Sequence, residues 1–223
     1  MRTSENGDEA KSGTFTQLKR RDQLVECAID AIAELGFPRT SVAEVARRAG
    51  VSKGVVTYHF PAKDDLINAV IAGVIGSMAE HLQARLWTAH PEEHPERFIA
   101  AYISAWVDYY RSHARQVLAL TRIYDGFRDE AGRPNPAFDV RALEVTGVAQ
   151  VLQIGQARGR LGTFDAQVMA AVMKAALDDL LTQFADRPDL DLEAYGTQLT
   201  ALFDRATRTD PRPGHPTTTK EER

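Results

Sequence analysis

The chain has 223 residues, with 27 Lys plus Arg against 31 Asp plus Glu, a formal net charge of −4, and 43% hydrophobic residues. This is the profile of an ordinary soluble globular chain, long enough to bury a core without a disulfide or metal staple. The acidic balance excludes a protein that coats nucleic acid with bulk positive charge, and the single cysteine, Cys27, excludes an intrachain disulfide or a Cys-based zinc site and fits a reducing, cytoplasmic location.

Residues 1–16 are polar, so they predict a head without fixed structure and not a secretory signal. A first helix is expected from about Lys19 to Leu35, with Leu24, Ala28, Ala31, Ile32 and Leu35 on one face and Gly36 as its stop. A second starts at Ser41, where Ser41 and Glu44 have capping-box spacing, and ends near Ala49. Ser52 caps a short third helix reaching about His59. Pro61 fits the first turn of a long fourth helix ending near Thr88. Its most apolar stretch, Leu66–Ala79, is too short to span a bilayer.

Five further helices are expected near 95–113, 114–127, 137–159, 165–185 and 191–206. The stretch 125–136, with Gly126, Gly132, Pro134 and Pro136, reads as a loop, and Arg187-Pro188 separates the last two helices. Pro211, Pro213 and Pro216 mark a disordered tail. With no alternating strand pattern, the fold class is all-α, about nine helices. Its domains are a head (1–16), a helical unit (17–62), a larger helical body (63–206) and a tail (207–223).

The informative segment is 40–66, TSVAEVARRAGVSKGVVTYHFPAKDDL. A helix-turn-helix needs a small residue where its helices cross, a residue tolerant of positive φ in the turn, and an aliphatic residue facing back into the corner. Ala46, Gly50 and Val56 supply these. Gly54 costs a helix about 1 kcal/mol against Ala, which close approach of backbone to DNA would explain. Lys63 stands at a helix start, where exposed N–H groups favour an anion such as phosphate. Between Arg39 and Lys63 the chain is locally basic, with Arg39, Arg47, Arg48, Lys53 and Lys63 against Glu44 alone.

Residues 19–66 resemble the DNA-binding region of the TetR family of transcriptional regulators. The resemblance lies in Lys19-Arg20-Arg21, Gly36-Phe37, Thr40-Ser41, the Ala46/Gly50 turn, Val51-Ser52-Lys53-Gly54, and Tyr58-His59-Phe60 followed by Lys63 and Leu66. The helical body resembles the family in pattern, as does Gly155-Gln156-Ala157-Arg158-Gly159. The resemblance implies that Thr40 and Ser52 hold phosphates, and that Lys53, Tyr58, His59 and Lys63 grip the DNA backbone. It also implies that Gly54, Val55 and Thr57 face the major-groove floor, that Lys19, Arg20 and Arg21 add phosphate contacts, and that Phe60 belongs to the core. Thr57 departs from the family's usual Tyr and offers a methyl that suits a thymine methyl.

A regulator of this kind reads two half-sites as a dimer. Val168, Met169, Val172, Ala176 and Leu180, with Leu192, Tyr195, Leu199, Leu202, Phe203 and Ala206, form stripes broad enough for both core and partner; by the resemblance they form a four-helix homodimer interface. The input is an effector in an aromatic cavity. Its candidate walls are Phe98, Tyr102, Trp106, Tyr109 and Tyr110, joined by Trp87, Tyr124, Phe127, Met173 and Phe184, with Asp108 and Glu144 as acidic partners for a cation. The alternative for each aromatic is simple packing.

His90 and His94 lie among prolines and read as loop residues, and Cys27 as a core residue of the first helix. No catalytic, cofactor or metal motif is present. The function expected is therefore a non-enzymatic, ligand-responsive regulator. It would be a repressor released from a palindromic double-stranded DNA operator by a small hydrophobic or cationic aromatic effector. The alternatives are an activator or constitutive DNA-binding protein on the same fold, or a helical interaction module or enzyme that has lost DNA binding.

Overall fold

The computed structural model describes residues 6–88, 90, 93–127 and 141–209. Its elements are α1 (Asn6–Leu35), α2 (Val42–Ala49), α3 (Lys53–His59), α4 (Lys63–Trp87), α5 (Pro95–Ser112), α6 (Ala114–Gly126), α7 (Arg141–Ala157), α8 (Ala166–Asp186) and α9 (Leu192–Thr207). No strand occurs among the described residues, so the all-α expectation holds.

Leu24, Ala28, Ala31 and Ile32 recur at helical spacing on α1 and are fully buried. Gly36 ends the helix at φ +83°, its N–H bonded to the Ile32 carbonyl. The helix starts at Asn6, well before Lys19, in the stretch expected to lack structure. Of the expected loop 125–136, Asp125 and Gly126 are helical and 128–136 lie outside the described residues, as does the tail from 210.

Capping settles the short helices. The Ser41 hydroxyl accepts the Glu44 N–H at 3.2 Å, but the Glu44 carboxylate does not return to close the box. It turns forward to Arg47 and Arg48, two guanidinium groups that outcompete one amide. Ser52 accepts the Val55 N–H at 3.4 Å. At α4, Pro61 lies ahead of the N-cap Ala62, outside the first turn, and the Asp65 carboxylate accepts the Ala62 N–H at 2.9 Å.

Two apolar cores result. One gathers α1, α2 and α3 with Leu66, Ile67, Val70 and Ile71 of α4 and Ala119, Leu120 and Ile123 of α6. The other lies among α5, α7, α8 and α9 around Trp106, Tyr109, Tyr110, Met173 and Phe203, and takes Met78 from α4. Both α4 and α6 thus run from the helix-turn-helix into the body. The α8 and α9 stripes divide: Leu180, Leu192, Leu199 and Phe203 are buried, while Val168, Val172 and Leu202 are more than half exposed. No helix among the described residues is long and apolar enough to cross a membrane.

Candidate nucleic-acid interface and ligand cavity

The corner between α2 and α3 is built by three residues. Ala46 and Val56 are buried against each other's helices. Gly50 adopts φ +65°, and its N–H reaches the Ala46 and Arg47 carbonyls. A side chain at Gly50 would meet nothing within 4 Å, so its backbone conformation, not space, demands glycine.

On α3 the outward side is open. Lys53 and Gly54 are exposed, Val55 is half-buried, and Tyr58 is 71% exposed with its ring edge-on to His59 at 5.1 Å. A Cβ added at Gly54 would touch only the Ser52 hydroxyl at 3.6 Å, so nothing within the described chain requires glycine there. The Thr57 hydroxyl donates to the Lys53 and Gly54 carbonyls, so what Thr57 offers a partner is its methyl.

Several expected contacts are engaged inside the protein instead. Thr40 is 2% exposed and its hydroxyl donates to the Gly36 carbonyl, closing the turn after α1. Burial takes it out of reach of a phosphate. Lys63 donates to the Phe37 carbonyl at 3.3 Å and lies 4.5 Å from that ring's centre, while Asp65 fills the helix terminus expected to hold an anion. Arg21 donates to the His59 carbonyl and stacks 4.4 Å above Phe60, tying α1 to the end of α3. Arg20 bonds Gln23, and Lys19 is exposed. Arg39 caps the Leu35 carbonyl, Arg47 pairs with Glu44, and Arg48 pairs with Glu44 and Glu34. These two arginines hold the Glu44 carboxyl down at about 2. Lys53 is the one cation of the segment with no such partner among the described residues.

Further along the molecule, α4, α5, α6, α7 and α8 enclose a cavity of about 250 Å³. Of the expected wall residues, Trp106, Tyr109, Tyr110, Tyr124 and Glu144 line it. Phe98, Tyr102, Met173 and Phe184 are buried in the neighbouring core, where Phe98, Tyr102, Trp106 and Tyr110 form an aromatic row with centres 5.4–6.3 Å apart. Phe98, Tyr102, Met173 and Phe184 do not line the cavity, and three more expected residues lie outside it. Trp87 is 77% exposed at the end of α4, because the helix runs past the core before it stops. Asp108 is held outside the cavity by Arg85 and Arg111, both at 2.8 Å. Phe127 packs on Phe37, 5.6 Å between centres, on the helix-turn-helix side.

Lys174 was not anticipated. It is buried in the cavity wall, bonded to Asp178 one turn along α8, with Glu144 of α7 at 3.4 Å and the Trp106 ring centre at 5.1 Å. A lysine in an amphipathic helix reads as a solvated charge, and Glu144 is too distant in sequence to mark the pairing.

Residues 24–70 match the family model described as "Bacterial regulatory proteins, tetR family". This interval covers the corner and most of its core. Over this interval the chain is similar to the tetR family of bacterial regulatory proteins. It is 36% identical over 67 residues to the HTH-type transcriptional regulator BetI of Serratia proteamaculans (strain 568), covering 30% of this chain and 34% of that protein. It is 33% identical over 89 residues to BetI of Escherichia coli O127:H6, covering 40% and 45%. The chain thus matches less than half the length of these relatives. A solved tetR-family regulatory protein from Rhodococcus RHA1, 17% identical, superposes with a TM-score of 0.70 over 86% of this chain and 98% of that one. The tetR fold therefore extends through the body, where sequence similarity has faded. Both relatives are named as transcriptional regulators.

Proposed function

We propose that this protein is a ligand-responsive, DNA-binding transcriptional regulator of the tetR family, working as a homodimeric repressor in the cytoplasm. The observation that carries this reading is the open side of α3. The corner's internal requirements are met, while Lys53, Gly54 and Tyr58 stand clear for a partner. In this reading residues 17–62 are the DNA-binding unit and 63–206 the ligand-binding and dimerisation body. Lys53, Tyr58 and His59 grip the backbone of double-stranded DNA, the Ser52 terminus meets a phosphate, and Gly54, Val55 and Thr57 face the groove floor.

Two such helices read half-sites of a palindromic operator about one helical turn apart. Exposed Val168, Val172 and Leu202 on α8 and α9 supply the apolar face for the second copy. A small hydrophobic effector enters the cavity. Its walls include α4 and α6, which also belong to the helix-turn-helix core, so occupancy alters the spacing of the two heads. The expected coupling is about 1–3 kcal/mol.

The test is a gel shift on DNA upstream of the protein's own gene at low salt, followed by a compound screen for release. A protein that shifts no fragment overturns the reading. A bound fragment whose transcription rises with the protein present makes it an activator on the same fold.

A further inference from the structure

We propose that the cavity accepts a small uncharged molecule with a hydrogen-bond acceptor, and that Lys174 is the residue that excludes charged ones. The inference rests on reading this cavity as the effector site.

The charges in the wall are grouped around one ammonium. Lys174 is bonded to Asp178 and lies 3.4 Å from Glu144, so an ammonium and two carboxylates are engaged together. The same ammonium lies 5.1 Å from the Trp106 ring centre, within the roughly 6 Å at which an aromatic face attracts a cation. The protein's own cation therefore already occupies the ring face that a cationic ligand would use. An incoming amine has to displace Lys174 from Trp106 and from the carboxylates. An incoming carboxylate has to stand beside Asp178 and Glu144. Each costs partial desolvation of a charge against a largely apolar wall.

The remaining polarity is of one kind. Tyr109 and Tyr110 donate their hydroxyls to the carbonyls of Val74 and Leu177 at 3.2 Å, so they turn ring surface, not hydrogen bonds, toward a ligand. The Trp106 indole N–H, on a residue 1% exposed, has only the Tyr102 hydroxyl beside it, a contact short of ordinary hydrogen-bond geometry. A buried donor so weakly satisfied is costly, and a carbonyl or hydroxyl oxygen on a ligand satisfies it better. The rest of the wall is apolar, including Val74, Ile75, Met78, Val117 and Leu120. A volume of about 250 Å³ lies below the roughly 300–1,000 Å³ of drug-sized pockets, so the molecule is small.

Three probes of similar size test the proposal by titration calorimetry on the full chain at neutral pH: 2-phenylacetamide (uncharged), 2-phenylethylamine (cationic) and phenylacetate (anionic). The amide is expected to bind at least about tenfold more tightly than either ion. Replacing Lys174→Met frees the Trp106 face and the carboxylates, and the ranking moves to the amine. Where that variant does not fold, Trp106→Phe carries the test, with amide affinity falling about fivefold for the lost donor. An amine that binds the unaltered protein as tightly as the amide overturns the proposal. So does a ranking unmoved by Lys174→Met, an amide affinity unmoved by Trp106→Phe, or failure of all three probes to bind. Gel shifts run in parallel separate the two readings. DNA binding without probe binding defeats this proposal alone, and probe binding without any DNA shift defeats the regulator reading.

Discussion

Arg122 of α6 donates to the Ala33 carbonyl at 2.8 Å and, from the same nitrogen, to the Ile32 carbonyl at 3.4 Å. These carbonyls lie in the last turn of α1, where the Ile32 carbonyl already accepts the Gly36 N–H and the Ala33 carbonyl takes the shorter Arg122 bond. A side chain of α6, a helix that also borders the cavity, thus completes the end of the first helix. Arg122→Ala should cost about 1–3 kcal/mol, measured as a lower urea midpoint, because partly buried acceptors lose their partner. Arg122→Lys should recover only part of this, since one ammonium lacks the guanidinium's fixed geometry.

Gly54 separates stability from binding. Gly54→Ala relieves a helix of glycine where a methyl meets only the Ser52 hydroxyl, so thermal unfolding should show a gain of about 0.5–1 kcal/mol. In the same variant DNA affinity should fall roughly tenfold, as a methyl is forced into a close contact. A variant that gains stability and keeps its affinity removes Gly54 from the interface.

Lys53 and Lys63 look alike in sequence and should behave differently. Lys53→Ala should weaken DNA binding across sequences and reduce the slope of log affinity against log salt by about 1. Lys63→Ala should leave that slope nearly unchanged, because its ammonium is held on Phe37. Fluorescence anisotropy at several salt concentrations distinguishes the two.

Glu44 sets an acid response. Hydrogen bonds from Arg47 and then Arg48 lower its carboxyl from 4.5 to about 2. A carboxyl depressed in the folded protein stabilises it above the unfolded value, and that contribution is lost as pH falls from about 4.5 toward about 2. Unfolding followed by circular dichroism should show Glu44→Gln less stable at neutral pH. The gap from the unaltered protein should narrow through that window.

The dimer face can be tested by charge. Val172→Asp places a carboxylate in the exposed α8 stripe and should leave the protomer folded while sedimentation shows monomer. DNA affinity should then fall steeply, because a single α3 reads one half-site.

The fold was legible wherever a backbone requirement selects one residue type. Gly36 and Gly50 mark helix ends with positive φ, and Ser41 and Ser52 mark starts with a hydroxyl acceptor. Helical spacing revealed the buried faces of α1 and α5. The side-chain partners were less legible because they are fixed by packing between distant segments. Lys63 reads as a free cation until Phe37 is brought beside it. Asp108 reads as a cavity acid until Arg85 on a neighbouring helix claims it. Lys174 carried no signal at all, since its partnership with Glu144 exists only after α7 and α8 pack. The start of α1 was misjudged because polar composition says little about helicity when helix-forming residues are present.

The sharing of α4 and α6 between the two cores bears on how such proteins can be recombined. A chimera cut at residue 62, carrying a foreign operator-reading head on this body, would set a new α1 surface against Ala119, Leu120 and Ile123 of the old α6. Matching the splice junction in sequence would not be enough. The transplant would have to bring its own versions of those three residues, more than fifty positions downstream, or its graft surface would not fit.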